Sequence, residues 1–385
     1  MLHVKIKKLL SYVLLGCVMA LPITSCTTDF LSQNNGTNNS ITEASSETSV
    51  INVTETEVSA SIQQPTPTSI STPMPTPTPT PTPEHILMSF AGDCTLAEAL
   101  AWKGSAEGFV NVVGDDYDYC FQNAKKYFQN DDMTIVNFEG TLTDSSSHMT
   151  KEFVFGAPYD YVNMLTNAGV EGVNLANNHS LDYWQQGLED TQRTLDEAGI
   201  LWCYGNNTAV YEVRGIKIGM CGYDTVSNGY GLDTMYAAID ELKSLGCNII
   251  IASMHWGVER DYEPRADQVA FGHALIDRGA DIVIGHHPHR LQPIEKYNGK
   301  YIVYSLSNFV FGGNYSLSDP DSAIVQVEFV MDETNTYCVE YKLNVYPYLQ
   351  TTQRPGNNYC PYELPWGSED YYRVLSKLNW SDEDE

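Results

Sequence analysis

The chain has 385 residues, 42% of them hydrophobic, which is enough to bury one large core or two ordinary ones. Its 21 Lys and Arg residues are outnumbered by 49 Asp and Glu residues, and the formal net charge is −28. Because such a chain has no surplus of positive charge to replace the counterions of a polyanion, the composition argues against nucleic-acid binding and indicates a solvated acidic surface.

The N-terminus has the pattern of a secretory signal. Lys5, Lys7 and Lys8 precede the apolar run LLSYVLLGCVMALPI, which leads through small residues to Cys26. This order is typical of a signal peptide, and a cysteine at the first mature position is typical of a bacterial lipoprotein. We therefore predict a signal peptide at residues 1–25 and a lipid on Cys26 that holds the chain at the extracytoplasmic face of the cell membrane. An uncleaved membrane anchor with an incidental cysteine is the alternative.

Residues 26–84 are predicted to be a disordered linker. They are rich in Ser, Thr, Asn and Pro and contain few large apolar side chains, so burial cannot offset the entropy lost on ordering. The segment ends in PMPTPTPTPTPTP, a run that favours extended polyproline II. We expect this linker to act as a stalk that holds a folded domain away from the membrane.

Strand-like and helix-like patterns alternate through residues 85–348, which we predict to form one folded domain. Five short apolar runs are typical of strands buried on both faces, namely HILMSFAG, MTIVNFEG, EGVNLANN, CNIIIASMHWG and DIVIGHHPH. Helical patterns lie between them, including DYDYCFQNAKKYFQN at residues 116–130, and several of these patterns stop at a glycine, namely Gly169, Gly199, Gly246 or Gly279. The alternation predicts an α/β layered domain.

Two hairpins are predicted from turn signals. Arg214-Gly215 separates two apolar runs, and Asn298-Gly299 is a strong signal for a tight turn between antiparallel strands. The alternating pattern of AIVQVEFVMDETNTYCVEYKLNVYPY predicts a further antiparallel pair. Residues 349–385 are left as a C-terminal tail that we expect to pack on the domain in part.

Polar residues follow each of the five apolar runs. In chain order they are Asp93; Glu139; Asn177, Asn178, His179 and Asp182; His255 and Glu259; and His286, His287 and His289. In open α/β sheets, ligands bind outside the carboxyl ends of the strands, where side chains distant in sequence meet. Carboxylates, an amide oxygen and several imidazoles together suit one or two divalent ions such as Zn, Mn or Fe.

Each of these residues has a plainer interpretation when it is taken singly. Asp93 is also a reasonable helix cap, Asn178 a turn residue and His255 a satisfied core histidine. One shared site at a single sheet edge explains all five occurrences at once, and we therefore predict a metal site there.

Other familiar chemistries lack their motifs. The sequence has no G-x-S-x-G, which argues against a serine hydrolase, and no P-loop or G-x-G-x-x-G, which argues against nucleotide binding. Seven cysteines remain once Cys17 and Cys26 are set aside, and an odd number without C-x-x-C indicates neither a disulfide framework nor a zinc knuckle. We expect mostly buried thiols, with one or two bridges as the alternative.

Six motifs, in order, resemble the bacterial CapA family of capsule or poly-γ-glutamate synthesis proteins: FAGD, NFEG, LANNHSLDYW, HWGVE, GHHPHRLQPIE and YSLSNFVF. The resemblance runs from about His85 to about Tyr348. The domain of that family is similar to calcineurin-like metallophosphoesterases. The resemblance therefore implies a layered sandwich of mixed β-sheets flanked by helices, with a metal-dependent site.

The resemblance also implies roles for single residues. His179 would face the substrate as an acid or electrostatic group, and Asp182, three residues later, would orient its imidazole. His286 is an alternative ligand if the register shifts by one. The implied metal ligands are Asp93, Glu139, Asn178, His255, His287 and His289.

The sequence departs from the metallophosphoesterase pattern in two motifs. The first motif of that pattern is Asp-x-His, whereas Asp93 is followed by Cys94 and Thr95. The second carries an aspartate after glycine, whereas Glu139 follows Asn137 and Phe138 here. One of the two metal positions is accordingly expected to be weaker or absent.

Two functions are compatible with these features. In the first, a metal-dependent hydrolase uses a metal-activated water to attack a phosphoester or amide in an extracytoplasmic polymer or its precursor, with poly-γ-glutamate suspected, while His179 assists the leaving group. In the second, a non-catalytic component of a membrane capsule synthase or exporter binds the polymer through the metal. The resemblance favours capsule synthesis, and the ligand set favours hydrolysis.

Overall fold

The computed structural model describes residues 82–381. The predicted signal peptide, Cys26 and all but the last three residues of the predicted linker lie outside the described residues. Within residues 82–381, no helix is both long and apolar enough to cross a membrane.

The elements of the described chain are numbered in sequence order. The strands are β1 (His85–Glu98), β2 (Met133–Phe138), β3 (Thr141–Leu142), β4 (Gly156–Ala157), β5 (Gly172–Asn174), β6 (Leu201–Cys203), β7 (Ala209–Val213), β8 (Ile216–Asp224), β9 (Ile249–His255), β10 (Ile282–His286), β11 (Leu291–Tyr297), β12 (Lys300–Leu306), β13 (Asn308–Gly312), β14 (Asp321–Met331), β15 (Cys338–Leu349) and β16 (Tyr362–Glu363). The helices are α1 (Phe109–Val113), α2 (Lys125–Phe128), α3 (Val162–Ala168), α4 (Trp184–Ala198), α5 (Thr225–Asn228), α6 (Leu232–Ser244), α7 (Ala266–Arg278) and α8 (Glu369–Lys377).

Two mixed sheets organise the domain. The first has the order β16-β15-β14-β1-β2-β5-β6, with β13 alongside β1, and its strands β1, β2, β5 and β6 are mutually parallel. The second has the order β11-β12-β10-β9-β8-β7, and β12, β10, β9 and β8 are parallel. Strands β3 and β4 form a separate two-stranded pair.

The central strands β2, β5, β9 and β10 are buried on both faces because both sides of their sheets are covered there. Ile249 and Ile251 of β9 join one cluster with Phe90 of the first sheet, so this cluster fills the space between the sheets. The alternate residue Ile250 packs instead with Leu275 of α7 on the outer face of the second sheet. A third cluster packs α1 to α4 on the other face of the first sheet. The predicted fold class, a layered α/β sandwich of mixed sheets flanked by helices, is confirmed.

The predicted hairpins are confirmed by pairing and backbone geometry. Strands β7 and β8 pair in antiparallel fashion around Arg214 and Gly215, whose φ angles are 49° and 82°. Strands β11 and β12 do so around Asn298 and Gly299, at 49° and 81°. Two successive positive φ angles match the twist of the flanking strands, which is why these turns favour Asn and Gly.

The helix predicted over residues 116–130 is wrong for most of its length. Only Lys125–Phe128 is helical, and the preceding residues form turns. The side chain of Asp116 accepts a hydrogen bond from the backbone N of Asp118 (3.2 Å), a local bond that competes with helix formation. The apolar residues Phe121 and Phe128 are nevertheless buried in the outer core of the first sheet.

The predicted C-terminal tail, residues 349–385, contributes two elements to the domain. Strand β16 pairs with the end of β15. Ser368 caps the start of helix α8, and its hydroxyl accepts from the backbone N of Tyr371. Val374 and Leu375 on its inner face are buried in the same cluster that fills the space between the sheets.

A pair of carboxyls lies at the amino ends of β2 and β5, on the side opposite the predicted site. Burial, together with the charge of Asp131, raises the pKa of Glu171 to about 7, although its carboxylate accepts a hydrogen bond from the backbone N of Thr134 (2.8 Å). The folded state therefore holds a proton that the unfolded chain releases near pH 4.5, and this group lowers stability as the pH rises from about 4.5 to 7.

We expect Glu171→Gln to raise the free energy of unfolding at pH 8 by about 1–2 kcal/mol, after allowance for solvent screening of a partly exposed group. The glutamine oxygen still accepts from Thr134, and no gain is expected at pH 4, where both states are protonated. Urea unfolding at the two pH values checks this, with the exposed Glu197→Gln as the control. An equal effect of Glu171→Gln at pH 4 and pH 8 would contradict the assignment.

Candidate metal centre

The polar strand ends belong to two sheets, not to the edge of one sheet as predicted. Asp93 lies in β1 and Glu139 directly follows β2, both in the first sheet. His255 ends β9 and His286 ends β10 of the second sheet, and these two residues face each other in register. Glu139, His255 and His286 lie at the carboxyl ends of parallel strands, and Asp93 pairs with Asn137 near the end of β2. The two sets meet because the sheets stack face to face.

Asp93 receives contacts from the histidine-rich segment after β10. Its Oδ1 lies 3.1 Å from His286 Nδ1, its Oδ2 lies 3.1 Å from His289 Nδ1, and the backbone N of His287 donates to Oδ2 (3.3 Å). Burial alone would raise the pKa of Asp93, but hydrogen bonds and charge from His286 and His289 outweigh it and hold the pKa well below the usual value. Asp93 is therefore an anion.

The glycine before Asp93 allows a close approach of two chain segments. The backbone N of Asp93 donates to Ser307 O (2.9 Å), and a Cβ on Gly92 would lie only 2.1 Å from that oxygen. Ser307 itself has a φ of 62°, the left-handed region that favours glycine. The FAGD motif thus needs its glycine for packing against the turn between β12 and β13.

Glu139 presents a buried oxygen without a hydrogen-bond partner in the described chain. The residue has no exposed surface, and its Oε1 lies 3.8 Å from His179 Nε2 and 3.9 Å from both His255 Nε2 and His289 Nε2. Metal–ligand bonds of roughly 2.0–2.2 Å place neighbouring ligand atoms about 3–4 Å apart. The spacing of Oε1 from His255 and His289 therefore fits a cation that these groups share, with His179 beside it.

The two buried carboxyls of the centre behave oppositely. Burial raises the pKa of Glu139 well above its usual value, and the negative charges of Asp93, Asp182 and Glu259 raise it further. Like charges so close cannot both ionise without a compensating cation, and because His286 and His289 keep Asp93 ionised, the proton is held by Glu139. A divalent ion would replace the proton on Glu139.

His255 and His287 are neutral, which is the state in which histidine binds metals. Burial lowers the pKa of His255 well below its usual value, and burial lowers that of His287 to about 4. His255 Nε2 lies 2.9 Å from Asn178 Oδ1, and its ring lies 4.8 Å from that of His287. Two groups of three residues have ligand atoms close enough to hold an ion. One group is Asp93, Glu139 and His255, and the other is Glu139, His287 and His289.

The segment after β10 brings its imidazoles inward through strained backbone. His287 and His289 have φ angles of 95° and 51°, which non-glycine residues adopt only at a cost of about 1–3 kcal/mol. As a result, His287 and His289 both lie beside Glu139, whereas His286 contacts Asp93. This arrangement favours the pair His287 and His289 over His286 as ligands.

His179 and Asp182 lie in the loop between β5 and α4. His179 Nδ1 is 2.9 Å from Asp182 Oδ2, which leaves Nε2 directed towards Glu139. Asp182 is held in turn by the backbone N of Phe155 (2.6 Å) and by Lys151 Nζ (2.5 Å). Burial lowers the pKa of His179 in spite of Asp182, which acts in the opposite direction. The structure therefore provides the orienting bond that the sequence predicts for Asp182.

The structure adds two asparagines that sequence reasoning did not assign. Asn137 Nδ2 lies 2.9 Å from Asp93 Oδ1 and 3.4 Å from Glu139 Oε2, so this amide joins the two carboxylates. Asn308 Oδ1 lies 2.7 Å from His289 Nδ1. Both residues lie in motifs identified in the sequence, NFEG and YSLSNF. Each is a polar side chain next to an apolar strand, and this pattern was the sequence signal that could have identified them as part of the centre.

Cys94, adjacent to Asp93, takes no part in the centre. Successive side chains of a strand point to opposite faces, and Cys94 packs in the outer core of the first sheet. Burial raises the pKa of its thiol, which therefore stays protonated. It is one of five buried cysteines in the described chain.

A cavity opens beside the centre. Its volume is about 230 Å³, and His179 and His289 contribute to its wall. Phe153, Phe155 and Phe311 form an aromatic wall. The rest of the lining is polar or charged apart from Leu317, namely Glu259, Arg260, Arg290, Asn308, Asn314, Ser316, Leu317, Ser318 and Asp319. A substrate bound here would have its reacting group next to the histidines.

The chain is similar to curated proteins of capsule synthesis. It is 32% identical over 243 residues to the PGA biosynthesis protein CapA of Bacillus subtilis, covering 57% of this chain and 63% of that protein. It is 30% identical over 270 residues to the capsule biosynthesis protein CapA of Bacillus anthracis, covering 63% and 64%. The chain thus spans a little under two thirds of the length of each relative.

A solved structure described as a novel phosphatase from Mycoplasma pneumoniae is 15% identical, with a TM-score of 0.41, and the match covers 69% of this chain and 95% of that one. The profile of the family described as bacterial capsule synthesis protein PGA_cap matches residues 87–313, more than half of the chain. That range contains every strand end gathered at the centre, from Asp93 to Asn308. The chain therefore belongs to the PGA_cap family of bacterial capsule synthesis proteins.

Proposed function

We propose that this chain is a metal-dependent hydrolase that acts on an extracytoplasmic polymer or its precursor during capsule synthesis, with poly-γ-glutamate as the polymer. The observation that carries the proposal is the fully buried Glu139 Oε1, which has no hydrogen-bond partner in the described chain and lies 3.8–3.9 Å from three imidazole nitrogens. The names of the relatives from Bacillus subtilis and Bacillus anthracis support the link to capsule synthesis.

The donor set fits one or two divalent ions of the Mn, Zn or Fe kind. The proposed ligands are Asp93, Glu139, Asn178, His255, His287 and His289. Such an ion, when bound, would polarise the bond to be cleaved and activate water at neutral pH.

His179 would act on the leaving group. Its Nδ1 bond to Asp182 fixes the ring, so Nε2 is the atom available to hold or deliver a proton at the centre. Lys151 Nζ makes a second contact to Asp182 and so helps to hold the carboxylate beside the imidazole. These residues therefore supply orientation and proton transfer, which are separate from ligation.

The proposal includes the location that the N-terminal sequence predicts. A lipid on Cys26 would anchor the chain to the cell membrane, and the linker would hold the domain at the extracytoplasmic face, within reach of membrane synthase subunits. Palmitate labelling that persists in Cys26→Ser would contradict this part of the proposal.

Metal analysis and hydrolysis assays on the purified full chain test the central claim. We expect Mn, Zn or Fe to bind at one or two equivalents, and the loaded chain to shorten poly-γ-glutamate or to cleave bis-p-nitrophenyl phosphate. His273→Ala is the matched control and should behave as the wild type, because this half-buried histidine of α7 contacts Glu295 and not the centre. Absence of bound metal at saturating concentrations would refute the proposal. Metal-dependent polymer binding without cleavage of either substrate would support the non-catalytic alternative.

A further inference from the structure

One cationic side chain at the cavity is free although the protein is strongly acidic. Among the Lys and Arg side chains of residues 82–381, nearly all lie within 4.0 Å of a carboxylate oxygen. The exceptions are Lys103, Lys217, Arg260 and Lys296. Lys217 donates to Leu245 O and Lys296 lies over the ring of Tyr301.

Arg260 and Lys103 therefore stand apart in the described chain, because their side chains make no ion pair, hydrogen bond or aromatic contact there. Arg260 is exposed at the wall of the cavity beside His179 and His289, and Lys103 lies at a separate cavity. In a chain with a net charge of −28, a guanidinium left without a carboxylate is available to an anionic ligand.

The backbone holds Arg260 at this place. It has a φ of 69°, and its backbone N donates to Pro288 O (2.7 Å), between the histidines of the GHHPH segment. The position of Arg260 is thus tied to the segment that carries His287 and His289. A strained residue fixed next to a candidate centre is typical of a functional position.

Arg290 provides a second, independent observation. Its side chain is only 10% exposed, with Nη1 donating to His289 O (2.6 Å) and Nη2 to Ser318 Oγ (2.7 Å). Its buried Nε has no hydrogen-bond acceptor within the described residues, and the nearest carboxylate oxygen, on Asp319, is 3.9 Å away. A buried donor without an acceptor costs about 1–3 kcal/mol unless a ligand or water satisfies it.

Among the described residues, neither carboxylate of the cavity lies within hydrogen-bond distance of these two arginine side chains. Asp319 is paired with Lys377 Nζ at 2.6 Å. Glu259, the other carboxylate of the cavity, makes no ion pair within the described residues. The arginine side of the cavity is therefore free to bind an anion.

We propose that Arg260 and Arg290 form a subsite for a carboxylate carried on a short aliphatic arm, which selects glutamyl-type substrates beside the candidate metal centre. The aromatic wall of Phe153, Phe155 and Phe311 packs against the aliphatic arm, and the guanidinium groups bind the carboxylate. A cavity of about 150 Å³ holds a benzene molecule, so a volume of about 230 Å³ admits a single unit of this size. The inference rests on the proposed function and names the group that the site selects.

Binding of a γ-linked glutamate oligomer to the full chain tests this subsite. The matched ligand is the same oligomer with its α-carboxylates converted to amides, and titration calorimetry is performed with metal and with chelator. We expect Arg260→Met to weaken binding of the carboxylate oligomer about tenfold to a hundredfold, which is the usual value of a charge-assisted hydrogen bond. The amide oligomer should bind wild type and variant equally, and Arg260→Lys should restore part of the affinity.

Lys103→Met is the control, because it removes an equally free cation at a different cavity. Equal losses of affinity in Lys103→Met and Arg260→Met would show that bulk electrostatics cause the binding, and would overturn the proposal. Equal losses of affinity for the two oligomers, or no binding of the carboxylate oligomer to wild type, would overturn it as well. If inorganic phosphate competes for the site more strongly than the oligomer does, and this competition depends on Arg260, the choice of a carboxylate as the bound group would be overturned. Metal content is measured in parallel. If the chain holds no metal but still binds the oligomer through Arg260, the proposed hydrolase is refuted and the carboxylate subsite is not.

Discussion

Replacement of Glu139 by glutamine is expected to reduce metal affinity about a thousandfold or more and to remove nearly all of the stabilisation that metal provides. A ligand that binds only the folded state at about 1,000 times its Kd stabilises it by about 4 kcal/mol. Wild type should gain this amount on addition of metal, whereas Glu139→Gln should gain less than about 1 kcal/mol, because the amide keeps the shape but lacks the charge that holds the ion. Urea unfolding with metal and with chelator, combined with metal analysis, provides the measurement.

The sign of the effect reverses when the metal is removed. In the chelated protein, Glu139 is a buried carboxyl beside Asp93, and both burial and that charge raise its pKa. A neutral amide removes this repulsion, so Glu139→Gln should be no less stable than wild type.

Glu98→Gln is the matched control for Glu139→Gln, since Glu98 is also buried at the end of β1 but accepts from the backbone N of Gly104 and Val110. It should change stability equally with and without metal. A Glu139→Gln variant that keeps the full metal-dependent gain would rule out Glu139 as a ligand.

Replacement of His179 by asparagine is expected to lower the hydrolytic rate about 10²- to 10⁴-fold while bound metal stays at the wild-type level. The reason is geometric, because Asp182 holds Nδ1 and only Nε2 reaches the centre. Asp182→Asn should have a smaller effect, about 10- to 100-fold, since it disturbs the orientation of the ring and not the ring itself. Single-turnover rates and metal content, measured on the same preparations, check both expectations.

His273→Asn is the control for the histidine substitution, because His273 pairs with Glu295 away from the centre. Its rate should equal that of wild type. Two results would count against the role of His179: an unchanged rate in His179→Asn, or loss of metal from that variant, which would make His179 a ligand.

The local elements of this protein were predictable because their causes are local. A strand apolar on both faces, such as Ile249–His255, is indicated by a run of apolar residues. The turn at Asn298 and Gly299 is indicated by residue types that tolerate positive φ. The helix expected over residues 116–130 failed for the same kind of reason, since the bond from Asp118 to the side chain of Asp116 is local and was not considered.

The partition of the strands between two sheets was not predictable from these patterns. Nothing in the apolar runs of β2 and β9 indicates that they belong to different sheets, because pairing depends on contacts between segments distant in sequence. The role of Asn137 has the same origin, since its amide reaches Asp93 only because β1 and β2 pair with these two residues in register.

By itself, the sequence determined the layered α/β class and the set of residues that follow the strands, because both depend on periodicity and on order along the chain. Only the tertiary structure decided which of those residues share a cavity, which carboxyl keeps a proton, and that Arg260 has no carboxylate partner among residues 82–381. Those properties depend on burial and on distances between side chains from different strands, and only the stacking of the two sheets sets these distances.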